Sequence, residues 1–191
     1  MWRSGWGMWK GVAAMSLLLA SSPQVAASGE ATPVRTVPGA QEFLRQVLPG
    51  SGYASTPMSE MLAKARREQL RGRFDPLPVV FEALPLAECV SRLSADVSAT
   101  WFVVTNPQDS GDASVAALED LFGESVIGNP DGMHFGSIRA LRLSGSEVRM
   151  RFAGNTDDAV LYLDSAETAA RVHVALAFLQ ERCDGSRATG F

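Results

Sequence analysis

Between residues 137 and 183 the chain alternates, turns, alternates again and then switches to a helical period. Few architectures accommodate that succession. Val148, Met150 and Phe152 alternate with Glu147, Arg149 and Arg151. A period of two puts one face in a core and the other in water, as in a half-buried strand. Residues 138–143 alternate more loosely and end at Ser144-Gly145-Ser146, a turn of hairpin length. After the polar loop Gly154-Asn155-Thr156-Asp157-Asp158, residues 159–163 are nearly all apolar, which places a third strand centrally with both faces covered. Asp164 and Glu167 fit a capping box. Val172, Leu176, Leu179 and Cys183 then form one apolar stripe at helical spacing, and Gly185 follows as a stop. The stripe has only the preceding sheet to bury against. The segment therefore predicts a C-terminal β-β-β-α unit with its helix docked across the sheet.

The start of the chain carries an address. Arg3 and Lys10 precede an uncharged, mostly apolar run at 11–22, and Val25-Ala26-Ala27 offers a small-residue cleavage site. About a dozen apolar residues fall short of the ~20 that span a bilayer. Residues 1–27 read as a signal peptide, with no stable membrane span once it is cleaved. An uncleaved anchor, aided by Trp2, Trp6 and Trp9, is the alternative. Cleavage removes two basic residues and no acid, leaving 15 basic against 21 acidic. An exported chain with that balance is a poor general partner for nucleic acid. Periplasmic or secreted is the expected location.

Cys89 and Cys183 are the only cysteines. In an oxidising compartment an even pair is most simply one disulfide. Both fall on expected helices, Cys89 on one that carries Leu86, Val90 and Leu93. Two buried free thiols are the alternative.

Residues 28–38 read as a flexible leader. Residues 39–74 read as a helical N-terminal extension, with helices at 41–48 and from Thr56-Pro57 onward, Thr56 being the N-cap and Pro57 the first helical residue. The far end of the second helix is basic, with Lys64, Arg66, Arg67, Arg71 and Arg73. These residues are candidates for binding an anionic partner. Their bland reading is a solvated helix end whose cations complement the dipole. Residues 75–185 form a single α+β domain and 186–191 a loose tail. Asp75-Pro76 marks the boundary. A strand at 77–83 is held to an edge or a strand start by Pro78. The most apolar strand of the middle, 100–105, places Trp101 in the core rather than on a ligand platform. A helix carrying Val115, Leu118, Leu121 and Phe122 follows. The turn Asn129-Pro130-Asp131-Gly132 joins 125–128 to 133–135 as a small hairpin. The sum is α+β, a mostly antiparallel sheet with helices packed mainly on one face.

Catalytic signatures are sparse. His134, Asp131 and Ser137 are the residues from which a hydrolytic site could be assembled, with Asp157 and Asp158 as further carboxylates. No Gly-x-Ser-x-Gly elbow accompanies them, and His173 reads as a helix-border residue. Asp109 and Asp112 lack the spacing of a calcium loop. No zinc-ligand spacing, phosphate-cradling glycine loop or dinucleotide fingerprint occurs, so neither metal nor cofactor is expected. The expectation is a small non-catalytic binding protein of the cell envelope, an accessory factor or an inhibitor or immunity-type protein. Its partner would be another exported or envelope protein, or an anionic cell-wall polymer. The alternative is a small envelope hydrolase using His134.

Overall fold

The C-terminal pattern folds as its periods require. In the computed structural model, which describes residues 35–108, 113–122 and 131–185, strands β8 (Ile138–Ser144), β9 (Glu147–Phe152) and β10 (Ala159–Tyr162) pair antiparallel in sequence order. Ser144 lies opposite Glu147, and Gly145 takes a positive φ of 58° in the turn between them. Helix α4 (Ala166–Cys183) buries Val172, Leu176 and Leu179 against this meander. Its cap is Ser165 rather than Asp164: the Ser165 hydroxyl accepts from the Thr168 amide at 3.0 Å.

Upstream, α1 is Val37–Val47, β1 Gly52–Ala54, α2 Thr56–Arg67, β2 Arg71–Asp75, β3 Val79–Ala87, β4 Val90–Asp96, β5 Trp101–Thr105, β6 Ala113–Ala117, α3 Leu118–Phe122 and β7 Met133–His134. Seven strands form one antiparallel sheet in the order β7-β4-β3-β1-β10-β9-β8, and three form a second, β2-β5-β6. All the described residues belong to one compact unit. The architecture is α+β, mostly antiparallel, with α1 and α4 packed together against the larger sheet.

Several local readings yield to tertiary pairing. Residues 39–74 carry the two expected helices, α1 and α2, and between them a strand that the sequence did not announce: β1 sits inside the large sheet, between β3 and β10. A three-residue strand carries no legible period, and its place depends on Gly52. A β-carbon there would meet Leu77 at 2.6 Å and the Tyr162 β-carbon at 3.2 Å. Helix α1 begins inside the expected leader, with Thr36 as cap and Pro38 in the first turn. Helix α2 begins one residue early: Ser55 is the cap position and Thr56 already helical. The expected helix around Cys89 is instead the β3–β4 hairpin, and Cys89 takes a positive φ of 67° in its turn. A two-turn helix is marginal on its own, whereas the hairpin pairs Ala83 with Leu93 and Leu84 with Arg92 along its length. The expected helix at Val115 splits likewise: β6 completes the small sheet, and only 118–122 stay helical. Met133 and His134 pair with Ser91 and Val90 of β4. The expected partner strand at 125–128 lies outside the described residues, as do the expected signal peptide at 1–27, Asp109, Asp112 and the expected tail at 186–191.

The two edges of the large sheet, β7 and β8, are joined by a single 3-10 turn, Phe135–Ser137. The sheet must therefore curl until its edges approach. Phe135 is fully buried at this seam. Its amide donates to the Cys89 carbonyl at 3.1 Å, and the Gln180 amide group donates to the Ile138 carbonyl at 2.9 Å. Here Cys89 and Cys183 form the disulfide, with Cα atoms 5.6 Å apart. Gln41 of α1, itself buried, donates to the carbonyls of Ala87 and Val90, each at 3.0 Å, and so ties α1 to the same hairpin end.

Candidate functional site

Three surfaces gather the residues with chemical potential. The first is a cavity of about 250 Å³ beside the seam, lined by His134, Ser137, Tyr53 and Asn155 among others. The Ser137 hydroxyl donates to the backbone carbonyl of His134 at 2.7 Å. Its proton is directed to the main chain, not to the imidazole, so the pair is not arranged as nucleophile and base. No described carboxylate lines the cavity: Asp131 is exposed outside it, and Asp157 and Asp158 line a different cleft. His173 is half-buried on α4. Tyr53 is a residue that sequence reasoning passed over. Burial pushes its phenol up to about 12.

The expected basic helix face is divided between two elements. Helix α2 ends at Arg67, and Gln69 at a positive φ of 60° turns the chain into β2. Lys64, Arg66 and Arg67 occupy the last helical turn, while Arg71 and Arg73 alternate on a strand. Arg66 and the Arg71–Arg73 pair lie on different surfaces.

Arg71 and Arg73 belong to the outer face of the small sheet. Cross-strand partners share a face. The register sets Arg71 beside Thr105 and Ala113, Arg73 beside Val103 and Val115, and Asp75 beside Trp101 and Ala117. The opposite face carries Gly72, Phe74 and Phe102 and packs on α2, with the Phe74 and Phe102 rings 5.1 Å apart. Trp101 is thus not a core residue. It is 47% exposed and Val115 is 53% exposed. The alternation of β5 has an inner side, filled by Phe102, and an outer side that nothing described covers. Arg73 reaches Asp75 at 3.0 Å on the surface, and Arg71 has no carboxylate partner among the described residues.

Arg66 lies instead in a polar cleft of about 390 Å³, with Arg149 and Arg151 of β9, Asp157, Asp158 and Tyr162. Burial, then the Glu147 carboxylate, raises the Tyr162 phenol above its ordinary value. Arg149 and Arg151 are the water-facing half of the alternation that placed Val148 and Met150 in the core. That period marked them as exposed without revealing that α2 would stand opposite. No protein-family model, no curated protein and no solved structure matches the chain.

Among the described residues, no group of histidine, cysteine, aspartate and glutamate side chains is arranged to hold a metal ion, and no helix is long and apolar enough to cross a membrane. The Cys89–Cys183 bond is compatible with an oxidising, extracytoplasmic setting.

Proposed function

We propose that this is an exported, non-catalytic binding protein, periplasmic or secreted, that holds an acidic protein partner on the outer face of the small sheet. The observation that carries this reading is the pair of exposed side chains Trp101 and Val115, with half-buried Val103 on the same face and Arg71 and Arg73 at its border. Aromatic and arginine side chains are over-represented among residues that dominate protein interfaces. The arginines favour a partner with carboxylates around an apolar centre, as in an inhibitor or immunity-type protein or an envelope accessory factor. The signal-like start and the disulfide fit export. Hydrolysis through His134 has less support, because the Ser137 hydroxyl is turned away from the imidazole.

The test is retention of a partner from envelope extract by the wild-type protein, the Trp101→Ser variant and the Arg71→Glu variant in parallel. A partner held by wild type and released by both folded variants is expected, with binding that weakens as salt rises. Equal retention by all three would remove the platform from consideration.

A further inference from the structure

We propose that the cleft between α2, β9 and β10 is a second binding site, taking a sugar unit that bears a phosphate or carboxylate group. It is a surface distinct from the small-sheet platform: Gly72 lines the cleft, while its neighbours Arg71 and Arg73 face the opposite side of β2. Three guanidinium groups converge here, and each is held at one nitrogen. Arg66 Nε donates to the Leu62 carbonyl at 3.3 Å, Arg149 Nη2 to Glu147 at 2.6 Å, and Arg151 Nε to Asp158 at 2.7 Å. Anchoring one nitrogen orients the planar fork, and the other nitrogens meet no acceptor among the described residues. Arginine forks fixed in this way suit the paired oxygens of a phosphate or carboxylate.

The charge balance identifies the rest of the ligand. Asp158, whose side chain is only 14% exposed, is occupied by Arg151. Asp157 receives the Thr156 hydroxyl at 3.2 Å and presents its remaining oxygen capacity to the cleft. A carboxylate beside the arginines disfavours a bare polyanion and favours a body with hydroxyl donors. The Ser59 and Tyr162 hydroxyls add neutral partners. At about 390 Å³ the space exceeds what inorganic phosphate needs and falls within the range of small-ligand pockets.

The experiment is a titration of the protein, labelled with ¹⁵N at arginine, followed by the side-chain Nε–H signals. Glucose 6-phosphate, glucuronate, inorganic phosphate and neutral glucose are added at constant ionic strength. Saturable shifts of the Arg66, Arg149 and Arg151 signals with an acidic sugar are expected, with little response to glucose. Saturation by glucose 6-phosphate alone assigns a phosphate-bearing sugar, and by glucuronate alone a carboxylate-bearing one. Arg66→Gln, an exposed substitution at the helix end, should raise the dissociation constant by about tenfold, the loss of one charge-assisted hydrogen bond. The inference fails if neither acidic sugar saturates. It fails equally if inorganic phosphate binds as tightly as both sugars, or if Arg66→Gln changes nothing.

Discussion

Gly136 lies flat against the backbone carbonyl of Cys183, with no room between them for a β-carbon. The contact joins the turn that links the two sheet edges to the end of α4. Its neighbour Phe135 is bonded to Cys89, so both ends of the disulfide meet the same three-residue turn. Gly136→Ala must push one backbone segment away from the other. A loss of about 1–3 kcal/mol is expected, the usual cost of overpacking. Urea melts should show the midpoint falling while the slope is retained.

The disulfide closes a separation of 94 residues. Constraint of the unfolded chain over such a loop is worth about 4–5 kcal/mol in the chain-entropy model. The Cys89→Ser/Cys183→Ser variant should therefore unfold at markedly lower urea. Mass spectrometry of the wild-type protein under non-reducing conditions should find no alkylatable thiol.

The chain contains two tyrosines, and both phenols are raised, Tyr53 to about 12. In the unfolded chain Tyr53 ionises near its ordinary value of 10.0. As pH rises above 10, the unfolded state loses a proton that the native state keeps. Stability is then fully present below pH 10 and declines toward pH 12, with a limit on the order of 3 kcal/mol from this group. Absorbance at 295 nm should show tyrosinate appearing above pH 10 in native protein. Tyr53→Phe should flatten the alkaline decline in stability.

Trp2, Trp6 and Trp9 fall in the signal-like segment, so Trp101 is the one tryptophan of residues 28–191. Its fluorescence in that processed form reports on the platform alone. Emission typical of a water-exposed indole is expected, with efficient quenching by the neutral quencher acrylamide. Trp101→Ala should cost about 1–2 kcal/mol, roughly half the usual cost for a fully buried tryptophan, since about half of the side chain is already in water. A blue-shifted, poorly quenched emission would contradict the open face.

The C-terminal unit was legible because its code is local. Val148 and Met150 alternate with arginines, Val172, Leu176 and Leu179 recur at helical spacing, and each period names the structure that can bury it. The pairing of Cys89 with Cys183 was legible from their number and the signal-like start of the sequence. The partners of Arg66 were not, because nothing in the spacing of α2 says that the outer face of β9 will stand across from it. Trp101 misled for a related reason: an apolar strand announces that it will pair, not which of its faces will be covered.

What the sequence determined by itself was the identity of the strongly periodic elements, the α+β class and the availability of one sulfur–sulfur bond. Tertiary structure alone decided that β1 enters the large sheet, that the Cys89 segment is a hairpin turn and that the basic run splits between a helix and a strand. Those choices are made by hydrogen-bond partners and packing surfaces dozens of residues away. A short segment with a weak local preference takes whichever conformation those distant groups satisfy.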